Sequence, residues 1–132
     1  MSKNHEFIES DLVFKLTGCA MDVLNELGHG LREKTYERAM CVEFELQKIS
    51  YSYQSKHEVI YKGKHIDTYI PDLEIENKLI LELKTVNTIS DEHIGQVLNY
   101  LKITGFEVGL ILNFKHSTLE WKKVVLTHTN RK

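Results

Sequence analysis

A short and almost entirely apolar run, Leu79 to Leu83, contains a single carboxylate, Glu82, and is followed at once by an ammonium group, Lys84. A run of this length and composition is typical of a β-strand that is covered on both faces. Charged groups are costly to bury unless they are paired or bind a metal. A second carboxylate, Asp72, precedes the run by one hairpin. Any fold that buries this strand therefore has to accommodate three charges together.

The position of the turn predicts how this hairpin is aligned. If the turn is centred on residues 76–78, Asp72 lies directly opposite Glu82 on the neighbouring strand. Side chains alternate along a strand, so Glu82 and Lys84 share one face. Two carboxylates this close repel each other unless a cation neutralises them, and hard oxygen ligands favour Mg²⁺ or Mn²⁺. The alternative is that these are solvated or ion-paired charges near a strand end.

Length and composition predict an ordinary globular protein. The 132 residues suit one domain, 1–132, in which about 1–9 and 127–132 are expected to be poorly ordered tails. The chain has 42% hydrophobic and 27% charged residues and a net charge of -2. A near-neutral chain is not typical of a sequence-independent nucleic-acid binder, although a local basic surface remains compatible with it.

Several classes of site and location are excluded by what the sequence lacks. Cys19 and Cys41 have no CxxC spacing and are expected to be reduced, packed thiols. The seven histidines show no HExxH spacing, and the glycines form neither a Walker loop nor GxGxxG, so no nucleotide cofactor is expected. The polar N-terminus is no signal peptide, and no apolar stretch could span a membrane. A cytoplasmic protein without membrane contact is therefore predicted.

The apolar periodicity predicts an α/β (α+β) domain in the order α-α-β-β-β-β-α-β-β. Helices are predicted at 12–27, capped by Ser10 and stopped by Gly28; at 33–49; and from Ser90 to near Gly105. Strands are predicted within 51–61 and at 65–69, 72–75, 79–84, 108–114 and 119–126. The second helix is expected to turn Tyr36, Ala39, Met40 and Leu46 inward.

Two further features each allow two interpretations. His93, near the start of the third helix, either caps that helix or approaches the carboxylate pair. Lysines gather on two predicted hairpins, Lys56, Lys62 and Lys64 on one and Lys115, Lys122 and Lys123 on the other. They either guide a phosphate backbone or serve only to keep the surface solvated.

Four motifs in order resemble a known group of nucleases. Pro71-Asp72 followed by Glu82-Leu83-Lys84 resembles the PD-(D/E)xK signature of the restriction-endonuclease-like superfamily. Downstream, Gln96 to Tyr100 resembles the QxxxY element of several of its branches. Upstream, Gly30 to Tyr36 matches the motif of the GxxExxY protein family, which is placed in that superfamily. The resemblance extends over most of the chain, from about residue 16 to 125.

This resemblance implies a fold and a set of roles. The fold is a restriction-endonuclease-like core, a mixed central sheet flanked by helices. Mg²⁺, with Mn²⁺ as a substitute, is held by Asp72, Glu82 and the backbone carbonyl of Leu83. Lys84 positions the attacking water, and Glu33 adds a carboxylate from the start of the second helix. These five residues are the expected catalytic and metal-binding set.

Four of the positions named by the motifs keep two interpretations each. Glu33 either reaches the site or only favours the positive end of its helix. Tyr36 and Tyr100 either support the site or are core aromatics with a hydrogen-bonded hydroxyl. Gln96 either contacts substrate or lies on the helix surface.

The function expected from the residues and the resemblance is that of a magnesium-dependent nuclease. It would hydrolyse phosphodiester bonds of DNA or RNA with a water as nucleophile. The alternative is a non-catalytic nuclease-fold module that binds nucleic acid or another protein. Nucleic acid is the expected partner, and a protein partner or a homodimer stays open.

Overall fold

The structure, a computed structural model, describes residues 7–127; the outer parts of both predicted tails lie outside the described residues. Its helices are α1 (Ser10–Leu27), α2 (Glu33–Gln47) and α3 (Asp91–Thr104). Its strands are β1 (Tyr51–Tyr53), β2 (His57–Tyr61), β3 (Lys64–Tyr69), β4 (Leu73–Ile75), β5 (Leu79–Lys84), β6 (Val108–Asn113) and β7 (Glu120–Val125). Within this described part, no helix is long and apolar enough to cross a membrane.

Five strands form one mixed sheet in the order β1-β4-β5-β6-β7. Strands β5 and β6 are parallel, while the other neighbours in the sheet are antiparallel. Parallel neighbours need a crossover connection, and α3 supplies it between β5 and β6. Among residues 7–127, strands β2 and β3 pair with each other and with no other strand, as a separate hairpin. The predicted fold class, a mixed sheet flanked by helices, is confirmed.

The sheet is covered on both faces, which explains the apolar run of β5. Leu79, Leu81 and Leu83 lie in the main core, which is built with α1 and α2. Ile80 lies in a second core with α3. Because side chains alternate along a strand, Glu82 lies on the α3 face and is only 8% exposed. The covered central strand thus brings a carboxylate into the interior.

Local signals set both ends of α3. The Ser90 hydroxyl accepts the backbone N–H of His93 at 3.3 Å, and His93 Nδ1 accepts the backbone N–H of Ser90 at 3.0 Å. This reciprocal capping box satisfies two helix-end donors. Gly105 ends the helix with a left-handed backbone, φ 81°. Both predicted limits are confirmed, and His93 is a cap.

Two predictions about the first two helices are wrong. Ser10 is the first helical residue of α1, and Glu9 occupies the N-cap without a side-chain cap bond. Leu46 is 73% exposed, and Phe44 is buried in its place. Phe44 continues the one-turn spacing of Tyr36 and Met40, whereas Leu46 lies about 120° around the helix from Met40.

The region predicted as one strand at 51–61 is two, so the structure has one strand more than expected. Gln54 adopts a left-handed backbone with φ 57°, which an extended strand cannot accommodate. The two strands on either side of Gln54 therefore belong to different sheets. Strand β1 pairs with β4 at the edge of the main sheet, and β2 joins β3 in the separate hairpin.

Candidate active site

The hairpin of β4 and β5 brings Asp72 and Glu82 together in the predicted register. Leu73 faces Leu81, so the preceding Asp72 lies opposite Glu82. Glu82 Oε2 accepts the backbone N–H of Asp72 at 3.0 Å. Asp72 Oδ2 accepts the backbone N–H of Leu83 at 2.9 Å. Each carboxylate is thus bonded to the main chain beside the other, which holds the two groups side by side.

Burial and mutual repulsion disfavour the state in which both carboxyl groups are ionised. Desolvation, followed by the charge of Asp72, raises the pKa of Glu82 to about 7. Desolvation also raises the pKa of Asp72, and the Leu83 N–H and the charge of Lys84 work against that rise. Without a cation, Glu82 therefore keeps a proton up to a higher pH than an ordinary glutamate does.

Lys84, the last residue of β5, lies on the same strand face as Glu82. Its charge lowers the pKa of Glu82 and of Asp72. Lys84 is half-buried and is aligned with Asn113 on β6. Lys84 therefore lies on the strand face that carries Glu82, at the end of the central strand.

Glu33 reaches the same end of β5 from the first turn of α2. Its Oε2 accepts the backbone N–H of Thr85 at 3.2 Å and lies 3.4 Å from the Thr85 hydroxyl. The charge of Glu33 contributes to the raised pKa of Asp72. The structure thus places the Glu33 carboxylate beside Thr85 at the end of β5, and its role in the site stays a prediction.

A further carboxylate, Glu37, was not singled out from the sequence. It is buried on α2 and lies 3.3 Å from the Lys34 ammonium group. Its charge is the first of the two that raise the pKa of Asp72, ahead of Glu33. The sequence could have indicated Glu37 through its spacing from Glu33, because the two residues are one helical turn apart and share a helix face.

Tyr36 supports the bend that precedes Glu33. Its ring is fully buried and stacks on Phe114 with the ring centres 4.4 Å apart. Its hydroxyl donates to the Gly28 carbonyl at 2.7 Å and accepts the Leu31 N–H at 3.1 Å. Tyr36 is therefore a core aromatic that fixes the chain leading into α2, where Glu33 begins the helix.

Tyr100 and Gln96 lie on α3, over the carboxylate face of the sheet. Gln96 is exposed and lies one helical turn before Tyr100. Tyr100 stacks on Tyr69, with ring centres 3.7 Å apart and an angle of 18° between the planes. The Tyr69 hydroxyl donates to Glu82 Oε2 at 3.2 Å. Tyr69 is thus a site neighbour that the sequence motifs did not indicate.

The segment after β5 is fixed by Asn113, another residue that sequence reasoning missed. Asn113 is fully buried; its Nδ2 donates to the Val86 carbonyl at 2.7 Å and its Oδ1 accepts the Val86 N–H at 3.0 Å. Nδ2 also donates to Glu120 at 2.8 Å. A buried amide with its polar atoms satisfied holds the chain beyond Lys84 in one path.

The donor chemistry of the pair fits a hard divalent cation. Within residues 7–127, no group of three or more Asp, Glu, His or Cys side chains is arranged to hold a metal. Mg²⁺, however, keeps several waters and is usually bound through one or two carboxylates. Asp72 and Glu82 supply those carboxylates, and a cation would relieve the repulsion that raises their pKa values.

The raised pKa values predict an unusual pH dependence of stability. In the unfolded chain the pKa of Glu82 returns to its ordinary 4.5, while in the fold it is about 7. Between these values the folded state binds more protons, so the free energy of unfolding falls as pH rises. We expect metal-free protein to lose on the order of 3 kcal/mol between pH 4.5 and 7.5. Urea unfolding across this range measures the loss, and Glu82→Gln should flatten it; equal slopes would contradict the assignment.

Comparison with known proteins identifies the family. Residues 10–124 match the family model described as the PD-(D/E)XK nuclease superfamily. No curated protein matches the chain. Among solved structures, the crystal structure of SSO0001 is similar in fold, with a TM-score of 0.57 at 15% identity. The match covers 92% of this chain and 57% of that one, so this chain spans little more than half of its solved relative. The chain belongs to the PD-(D/E)XK nuclease superfamily.

Proposed function

We propose that the protein is a magnesium-dependent nuclease that hydrolyses phosphodiester bonds of DNA or RNA, and that within its superfamily it belongs to the GxxExxY family. The observation that carries the proposal is the pair of carboxylates that face each other across the hairpin, Glu82 bonded to the Asp72 N–H and Asp72 to the Leu83 N–H, with Lys84 on the same strand face as Glu82. The motif from Gly30 to Tyr36 supports the family assignment, because Glu33 within it reaches the end of β5.

Each residue of the site has a task in this proposal. Asp72, Glu82 and the Leu83 carbonyl would hold Mg²⁺, which supplies Lewis acidity towards phosphoryl oxygen and water. Lys84 stabilises negative charge that develops on the phosphate and orients the attacking water. Glu33 adds negative charge at the open edge of the site, where it is held by Thr85.

The position of the site suits a long, charged substrate. The pair lies at the end of β5, and Glu33 at its edge is exposed. Lys56, Lys62 and Lys64 are exposed on and beside the β2–β3 hairpin, whose last strand leads into Asp72. In this proposal, these lysines contact a phosphate backbone that extends beyond the site.

The proposal is tested by cleavage of labelled single- and double-stranded DNA and RNA with Mg²⁺. We expect the wild type to cleave at least one of these substrates, EDTA to stop the reaction, and Glu82→Gln, purified identically, to be inactive. Equal cleavage by both proteins would identify a contaminating nuclease. Absence of cleavage together with retained nucleic-acid binding would identify the non-catalytic binding module instead.

A further inference from the structure

We propose that Tyr69 is a positioning residue for Glu82: its hydroxyl fixes the carboxylate so that one oxygen is kept for the cation. The separate β2–β3 hairpin, which carries Tyr69, then contributes a positioning residue to the active site. The inference rests on the proposed function, since it assigns Glu82 to a metal.

The hydrogen bonds around Glu82 fall on one side of its carboxylate. Oε2 accepts the Tyr69 hydroxyl at 3.2 Å and the Asp72 backbone N–H at 3.0 Å. Among the described residues, no hydrogen bond engages Oε1. Two donors on Oε2 resist rotation of the carboxylate and leave Oε1 available. Second partners of this kind commonly orient metal-binding carboxylates.

Tyr69 is suited to remain a donor. An ordinary tyrosine hydroxyl has a pKa of about 10. The hydroxyl therefore keeps its proton at any physiological pH. A protonated phenol can donate to Oε2 without adding charge to a site that already has two carboxylates.

The ring of Tyr69 is held from two directions. It stacks on Tyr100 of α3, with ring centres 3.7 Å apart. Across the hairpin it faces His57, whose Nε2 contacts the Glu74 carboxylate on β4. The His57 ring also meets Phe106 edge-on at 6.3 Å. Because the hairpin does not pair with the main sheet, these side-chain contacts determine where its end lies.

The decisive variant is Tyr69→Phe, which keeps the stacked ring and removes only the hydroxyl. We expect the dissociation constant for Mn²⁺ to rise about 10-fold, as for other partners of metal ligands. The kcat for nucleic-acid cleavage should fall by a similar factor while KM is unchanged, because Tyr69 acts through Glu82 and not on the substrate. Titration calorimetry with Mn²⁺ alone gives the first value without any reaction.

Two controls separate positioning from general stability. Tyr51→Phe removes another tyrosine–glutamate bond, Tyr51 to Glu45 at 2.6 Å, and should change neither value, because Tyr51 faces Ile75 at the end of β4 away from Asp72. Val59→Ala loosens the same hairpin without touching Glu82 and should leave Mn²⁺ affinity intact. Unchanged Mn²⁺ affinity in Tyr69→Phe, or equal losses in Tyr69→Phe and Val59→Ala, would overturn the inference.

The outcomes also separate this inference from the proposed function. If wild type binds Mn²⁺, Asp72→Asn does not and Tyr69→Phe binds normally, only the role of Tyr69 is refuted. If wild type binds no Mn²⁺, the metal site and the role of Tyr69 fall together.

Discussion

Lys84→Ala is expected to lower magnesium-dependent cleavage about 100-fold or more while the protein stays folded. The ammonium group shares a strand face with Glu82 and acts electrostatically on both carboxylates. Losing one preorganised charge from a reacting centre has an effect of this size, because water cannot replace a fixed contact. Single-turnover cleavage at pH 8 measures the chemical step directly.

Two controls accompany Lys84→Ala: one removes a different lysine next to the same strand, and the other keeps a positive charge at position 84. Lys78→Ala removes an exposed lysine from the turn at the opposite end of β5 and should cleave at the wild-type rate. Lys84→Arg keeps the positive charge but places it on a planar guanidinium group. This variant should therefore be more active than Lys84→Ala and less active than the wild type. If Lys84→Ala cleaves as fast as Lys78→Ala, the ammonium group has no part in the reaction.

Asp72→Asn is expected to abolish binding of Mn²⁺ and yet to stabilise the metal-free protein. The amide oxygen can still accept the Leu83 N–H, which Asp72 Oδ2 now accepts at 2.9 Å. The charge that raises the pKa of Glu82 is removed, so less repulsion is stored in the fold. At pH 8 we expect the free energy of unfolding to rise by roughly 1 kcal/mol.

Asp72→Ala gives the matched comparison. It removes the same charge but leaves the Leu83 N–H without its present acceptor, which costs about 1–3 kcal/mol if that donor stays buried. Alanine should therefore destabilise where asparagine stabilises, and both should lose Mn²⁺. An Asp72→Asn protein that is less stable and binds Mn²⁺ normally would show that Asp72 is only structural.

The sequence was informative wherever a short segment decides its own geometry. The register that places Asp72 opposite Glu82 depends on one turn at 76–78 and on side-chain alternation, both of which are local. The limits of α3 were predictable for the same reason, since Ser90 and Gly105 act within one helical turn of the ends. The charged pair and its lysine were therefore recognisable from the order of the residues alone.

Packing decided what lies around that pair. Glu33 and Thr85 are 52 residues apart, and they meet only because α2 packs across the sheet with its first turn at the end of β5. The exposure of Leu46 likewise depended on which face of α2 turns inward. Helical periodicity allows neighbouring phases, and the contact with α1 and the sheet selects one of them.

The role proposed for Tyr69 was beyond the reach of the sequence. Its partner Glu82 is 13 residues away, on a strand of a different sheet. The two meet because the left-handed backbone of Gln54 ends β1 and separates it from β2. The β2–β3 hairpin can then pack against α3, where Tyr69 stacks on Tyr100. The sequence by itself determined which charges face each other across one hairpin, because a turn and a pleat act over a few residues. Only the tertiary structure decided which side chains orient those charges, because long-range packing brings them together.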